Sequence, residues 1–153
     1  METIRFKHAR FSARLPVDFR YSLSHYWMSQ DEEDPGVWRV GFTKFATRML
    51  GELVEMKLSV NGGHRVAAGD LLGSVEGFKA VSDLFCVADG VFLGTNPALT
   101  AEACLTHSSP YNAGWLYEVD GLPQAGSLDV HQYIALLEQT IDRLHASRYD
   151  GGG

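Results

Sequence analysis

Residues 69–83 read GDLLGSVEGFKAVSD and place Lys79 in a bend between two short apolar runs. Gly77 allows a tight turn beside the lysine, and a bend between two strands exposes the side chain at its tip. A lysine that another enzyme acylates needs this exposure, because the amine, with an ordinary pKa of about 10.4, must reach the modifying active site and lose a proton there. The same geometry is typical of an unmodified lysine that protects a strand edge, so the bend alone leaves both interpretations open.

Short strand-forming runs separated by glycine turns continue on both sides of this bend. Residues 52–58, ELVEMKL, alternate polar and apolar side chains, as expected for a strand with one solvated face. Further runs of strand-forming residues lie at 36–42, around Val66, and at 71–75, 80–87, 91–93 and 115–119. Many short strands with glycine turns predict a mostly β fold, a small hybrid of barrel and sandwich.

A short internal helix is predicted between the runs at 36–42 and 52–58. Thr43 is suited to the N-cap, and Gly51 can end the helix in a left-handed conformation. Residues 97–105 are a further helical stretch.

The C-terminal segment has the clearest helical pattern. Its apolar residues recur at helical spacing and are Val130, Tyr133, Ile134, Leu137, Ile141 and Leu144. This spacing predicts an amphipathic helix that packs against the sheet, with Ser127 as its N-cap.

The chain divides into three parts by sequence. Residues 1–15 contain dispersed arginine and lysine residues, which predicts a solvated N-terminal extension. Residues 16–148 form the folded domain, and residues 149–153 end in three glycines, which predicts a flexible tail.

Composition and motifs argue against several classes of protein. A net charge of −6 gives no broad attraction for nucleic acid. No apolar run approaches the roughly 20 residues that cross a bilayer. Cys86 and Cys104 lack CxxC spacing and the six histidines are scattered, so no metal site is predicted. Phosphate-binding glycine loops and a GxSxG turn are also missing from the sequence, so common enzyme signatures are lacking.

Four segments together resemble the glycine cleavage H-protein family. Residues 75–83 resemble its lipoylation segment, V-E-S-V-K-A-x-S-D, and residues 16–27 resemble P-x-D-L-x-Y-x-x-x-H-E-W. Residues 40–54 resemble V-G-I-T-x-x-A-x-x-x-L-G-x-I-V, and residues 96–115 resemble N-x-A-L followed by P-Y-G-x-G-W. The resemblance extends over roughly residues 16–145. A biotin carrier is disfavoured, because its acceptor lysine lies between methionines, whereas Lys79 lies between Phe78 and Ala80.

The resemblance implies a lipoyl-domain-like barrel-sandwich hybrid and a carrier that is not itself an enzyme. It implies lipoate bound covalently to Lys79, with Glu76, Asp83, Ser24 and Tyr26 around the cofactor. It further implies transport of the aminomethyl group of glycine in glycine catabolism. The implied partners are glycine decarboxylase, aminomethyltransferase, dihydrolipoyl dehydrogenase, and a lipoate ligase or lipoyl/octanoyl transferase. We expect a cytoplasmic bacterial monomer without nucleic-acid or membrane partners, the mitochondrial matrix being the alternative location.

Tyr26 is the main departure from the family pattern, since the family has a carboxylate at the middle of H-E-W. A neutral phenol binds a cationic cargo less strongly than a carboxylate does. Two alternative functions therefore stay open. One is an H-like lipoate-binding protein of another pathway, such as heterodisulfide-reductase-like sulfur oxidation, and the other is an unmodified binding paralogue.

Overall fold

The chain folds into eleven strands and four helices within the part that the structure describes. This computed structural model describes the backbone of residues 1–151 and the side-chain environments of residues 1–146. The strands are β1 (Thr3–His8), β2 (Phe11–Pro16), β3 (Arg20–Tyr21), β4 (Tyr26–Gln30), β5 (Val37–Phe42), β6 (Leu53–Leu58), β7 (Arg65–Val66), β8 (Leu71–Gly77), β9 (Val81–Phe85), β10 (Ala88–Thr95) and β11 (Tyr117–Pro123). The helices are α1 (Lys44–Leu50), α2 (Ala98–Ala101), α3 (Leu105–Ser108) and α4 (Val130–Gly151).

The strands form three antiparallel sheets. The largest has the order β3-β4-β5-β11-β10-β7, a second has the order β6-β8-β9, and β1 pairs with β2. One hydrophobic core contains side chains of both larger sheets, such as Val40 and Phe92 from the six strands and Leu72 and Leu84 from the three. This arrangement confirms the predicted mostly β hybrid fold.

The strand predicted at 52–58 is present as β6, but its alternation is interrupted. The register between β6 and β8 shifts between Leu53 and Glu55, which marks a bulge. Leu53 packs in the same core as Met56 and Leu58, which strict alternation would not allow for residues 53 and 56, and Val54 is half exposed. Strict alternation would place Val54 on the same face as Met56 and Leu58, so the bulge decides the exposure of Val54.

The prediction of a solvated extension for residues 1–15 is wrong. The segment forms the β1–β2 hairpin, in which Phe6, Phe11, Ala13 and Leu15 are buried. Alternation explains this result, because the basic residues point to the solvated face while the aromatic residues between them point inward. The hairpin belongs to a second hydrophobic core that it shares with α1 and α4.

The amphipathic C-terminal helix is confirmed, with a different N-cap. Asp129 Oδ1 accepts a 2.8 Å hydrogen bond from the Gln132 N–H, and Gln132 Oε1 accepts a 2.9 Å bond from the Asp129 N–H. This reciprocal pair is a capping box, a signal that the sequence contained. Ser127, the predicted cap, lies two residues before Asp129. Its hydroxyl oxygen accepts a hydrogen bond from Arg20. The helix packs mainly on the β1–β2 hairpin and β3.

The helical stretch predicted at 97–105 is interrupted. Glu102 has φ −136° and ψ 73°, which are not helical values, and it separates α2 from α3. No helix within residues 1–151 combines the length and apolar character that crossing a membrane requires.

Two leucines of α4 provide a matched test of the second core. Leu137 is fully buried and Leu144 is 39% exposed. Leu137→Ala is expected to lower the free energy of unfolding by about 2–5 kcal/mol, because it leaves a cavity. Leu144→Ala is expected to change it by less than about 0.5 kcal/mol. Urea denaturation measures both values, and equal losses would contradict the assigned packing of α4.

Candidate functional site

The turn after β8 is bound to the C-terminal end of α1 by backbone hydrogen bonds. The Lys79 N–H donates to the Leu50 carbonyl at 3.0 Å, and the Phe78 N–H donates to the Glu52 carbonyl at 3.0 Å. The last carbonyls of a helix lack partners within the helix, so the turn satisfies an acceptor that α1 leaves free. The backbone of Lys79 is therefore fixed in position although its side chain is exposed.

Two glycines allow this close approach of the turn to α1. Gly51 ends the helix with φ +80°, and a Cβ added there would lie 2.9 Å from the Lys79 nitrogen. A Cβ added at Gly77 would overlap the Leu50 carbonyl oxygen. The predicted helix limits, with Thr43 as the N-cap and Gly51 at the C-terminus, are both confirmed.

The amine of Lys79 lies over the last turn of α1. Its Nζ donates a hydrogen bond of 3.1 Å to the Arg48 carbonyl. Phe78 beside it is 77% exposed, so the turn presents an aromatic ring and an amine together. The site therefore offers an accessible nucleophile on a rigid backbone.

A groove of about 380 Å³ lies beside the turn. One wall is formed by α1, the second by residues 24–26, and the third by residues 80–82. Its apolar lining includes Phe42, Phe45, Ala46, Met49, Leu50 and Val75. The groove suits an aliphatic chain that enters from the turn.

Tyr26 bridges two sheets at this groove. Its hydroxyl accepts a 3.1 Å hydrogen bond from the Phe85 N–H, and only 3% of the residue is exposed. Burial raises the pKa of Tyr26, and the negative charge of Asp83 raises it further. The phenol therefore stays neutral at physiological pH, and its oxygen is already engaged by β9.

The other predicted site residues lie on two sides of the turn. Ser24 is exposed at the groove, with its Oγ 3.0 Å from the Ser22 Oγ. In the β8–β9 register Glu76 faces Val81 and Ser74 faces Asp83, so both carboxylates lie on the outer face of the three-stranded sheet. The groove thus brings Ser24 and Tyr26 together, whereas Glu76 and Asp83 do not line it.

His25 also lines the groove, and the sequence patterns assigned it no role. Its Nδ1 lies 2.9 Å from the Tyr133 hydroxyl. That hydroxyl donates a 2.8 Å hydrogen bond to Thr43 Oγ1, the N-cap oxygen of α1. The three residues lie far apart in the sequence, so spacing gave no signal for this chain of hydrogen bonds. Burial lowers the pKa of His25 to about 4.

Comparisons with known proteins agree on one family. The sequence model described as glycine cleavage H-protein matches residues 19–138. A glycine cleavage system H protein of Corynebacterium jeikeium is 40% identical over 115 residues, covering 74% of this chain and 89% of the relative. The protein of the same name from Citrobacter koseri is 33% identical, covering 82% of this chain and 98% of the relative.

A solved structure gives the same result. The crystal structure of a glycine cleavage system H protein from Mycobacterium marinum superposes with a TM-score of 0.69 at 34% identity. The match covers 79% of this chain and 97% of that chain.

Gly51 and Gly63 provide a matched test of the contact between the turn and α1. Both have positive φ, but a Cβ added at Gly63 meets nothing within 4 Å. Gly63→Ala is expected to cost about 1–2 kcal/mol of unfolding free energy, from backbone strain alone. Gly51→Ala should cost more, because its methyl group displaces the Lys79 backbone. Urea denaturation compares the variants, and an equal cost would show that the turn does not depend on this contact.

The partly buried His25 predicts a pH dependence of stability. Because the pKa of His25 is about 4 in the folded protein and about 6.5 when exposed, the unfolded chain binds the additional proton between these values. The free energy of unfolding should therefore fall by up to about 3 kcal/mol as the pH decreases from about 6.5 to about 4. His25→Asn should remove this part of the decrease in urea denaturation, whereas His64→Asn, at an exposed position, should retain it. If the unfolding free energy of His25→Asn decreased with pH as steeply as that of wild type, the decrease could not be attributed to His25.

Proposed function

This chain belongs to the glycine cleavage H-protein family, and on that premise we propose that the Nζ of Lys79 is the attachment point of its lipoyl group. Members of the family are lipoyl carriers in glycine cleavage rather than enzymes, and they work with the enzymes of the cleavage system. The observation that carries the proposal is the exposed Lys79 amine on a rigid turn beside the apolar groove. Lys79 also lies within the matched residues 19–138.

The residues around Lys79 fit a lipoyl group. Acylation converts the ammonium to an amide, which keeps one N–H for donation to the Arg48 carbonyl. This bond would hold the amide over α1, where the apolar groove begins. The groove walls of Phe45, Met49 and Leu50 suit the aliphatic part of the group.

A bound lipoyl group would supply a cyclic disulfide, whose reduction by the substrate fragment would leave one sulfur bonded to that fragment and the other as a thiol. The protein contributes position and shielding. The hydrogen bonds from the Phe78 and Lys79 N–H groups fix the point of attachment, and the apolar walls of the groove would cover one side of the arm. Tethering to one lysine raises the effective concentration of the cofactor at a partner's active site to the millimolar range when geometry permits.

The outer face of the three-stranded sheet has a separate role in this proposal. Glu76 and Asp83 lie there beside Val81, whose side chain is largely exposed. This face presents two carboxylates and an apolar side chain to the enzyme that modifies Lys79, a lipoate ligase or a lipoyl/octanoyl transferase. Glycine decarboxylase, aminomethyltransferase and dihydrolipoyl dehydrogenase are the partners proposed for the loaded carrier. The bacterial relatives favour a cytoplasmic location.

Glycine cleavage is the function of the family to which this chain belongs, and the relatives give no support to the sulfur-oxidation alternative. That alternative rested on Tyr26, where the family pattern has a carboxylate. Relatives that cover most of this chain are named glycine cleavage system H proteins. The buried and engaged Tyr26 hydroxyl leaves the cationic cargo to be bound by other groups of the groove.

The attachment point is tested by mass. Wild-type protein incubated with lipoate, ATP and a lipoate ligase should gain the mass of one lipoyl group, because the Lys79 amine is accessible. Lys79→Arg should gain none, whereas Lys57→Arg, which changes an exposed lysine of the same sheet, should gain one. Loaded wild-type protein with glycine decarboxylase should exchange labelled bicarbonate into glycine. A mass gain in Lys79→Arg would contradict attachment at this lysine.

A further inference from the structure

The backbone of His25 is held in an unusual conformation at the groove. Its φ is +70°, a region that few residues other than glycine adopt. The His25 N–H donates to the Ser22 carbonyl at 3.1 Å, and its carbonyl accepts from the Thr43 N–H at 3.1 Å. Two backbone hydrogen bonds thus maintain a strained residue, and the contact of Nδ1 with the Tyr133 hydroxyl orients its ring.

The hydrogen bonds also determine which nitrogen of His25 carries the proton. The Tyr133 hydroxyl has one hydrogen, and it donates this hydrogen to Thr43 Oγ1. The same hydroxyl must therefore accept from His25, so Nδ1 is the protonated nitrogen. Nε2 is left with a lone pair and acts only as an acceptor.

His25 lines the groove, and its Nδ1 edge faces Tyr133, which does not line it, so the opposite edge of the ring, with Nε2, is the part left for the groove. No hydrogen-bond partner for it occurs among the residues that the structure describes. Within those residues, every buried side-chain nitrogen or oxygen has a partner, so Nε2 is not sealed in the core. The low pKa of His25 keeps the imidazole neutral at physiological pH. The groove therefore contains a fixed, neutral acceptor among largely apolar walls.

We propose that Nε2 of His25 accepts a hydrogen bond from the ammonium group of the aminomethyl cargo and thereby retains the loaded cargo in the groove. This inference rests on the proposed function of Lys79. Tyr26, at the position where the family pattern has a carboxylate, has its oxygen engaged by Phe85. An acceptor without a proton favours a cation that donates hydrogen bonds and disfavours an anionic sulfur cargo. His25 is thus a positioning residue that also selects the class of cargo.

The chemistry of cargo loss explains how this bond would retain the fragment. Loss requires the neutral amine, whose nitrogen lone pair expels the sulfur as a thiolate while the carbon–sulfur bond breaks. The departing methyleneiminium ion then takes up water and gives formaldehyde and ammonium. A protonated amine has no lone pair for this step. An imidazole of low basicity accepts the hydrogen bond without removing the proton, so it keeps the cargo in its stable form.

The first test measures cargo release from lipoylated protein loaded by glycine decarboxylase and glycine. His25→Asn removes Nε2, keeps a side-chain N–H for Tyr133, and tolerates positive φ. We expect it to release formaldehyde about fivefold faster than wild type, the factor for loss of one hydrogen bond. His64→Asn, which changes an exposed histidine bonded to Asn61, should match wild type. Equal release rates in His25→Asn and wild type would overturn the role of His25.

The second test uses the wild-type protein and so does not depend on how the variant folds. In ¹⁵N-histidine-labelled protein, the Nε2 resonance of His25 should shift towards that of a hydrogen-bonded nitrogen on loading, while Nδ1 stays protonated. An unchanged Nε2 resonance after loading, verified by mass, would contradict the inference and leave the proposed function intact. Failure of the mass to rise on lipoylation would overturn both.

Discussion

The hydrogen bonds between the β8–β9 turn and the end of α1 are the constraint on which the site depends. A helix end leaves carbonyl groups without partners, and here the Lys79 N–H occupies the Leu50 carbonyl while the Lys79 amine occupies the Arg48 carbonyl. The approach is close enough that Gly51 and Gly77 have no room for a side chain. An exposed lysine at a free hairpin tip would move with the tip. This contact instead ties the lysine backbone to a helix that both hydrophobic cores hold.

The helix α1 connects the two cores because Phe45 and Leu50 project from different faces of the helix. Leu50 belongs to the core of the two larger sheets, and Phe45 belongs to the core shared by the N-terminal hairpin and α4. The ring of Phe11 in β2 contacts Phe45 edge to face at 5.6 Å. The N-terminal hairpin therefore supports the site from behind, although it precedes the residues that match the family.

The groove shows how a fold can retain a function while one polar position changes. Tyr26 joins β4 to β9 through its hydroxyl, so the position serves the packing of the sheets rather than offering a negative charge. His25 next to it is oriented by Tyr133 and Thr43, which come from α4 and from the N-cap of α1. Helix α4 thus contributes to the groove through a hydrogen bond, without lining it.

The sequence alone determined the β-rich fold, the limits of α1, the amphipathic face of α4 and the resemblance that singles out Lys79. These features depend on local periodicity, on caps such as Thr43 and on contiguous motifs, all of which are readable along the chain. Tertiary structure decided what covers the apolar face of the N-terminal hairpin, the outward position of Val54, the engaged hydroxyl of Tyr26 and the acceptor on His25. Each of these depends on partners distant in sequence or on a register shift, because alternation along one segment shows which face is apolar but not which residues cover it.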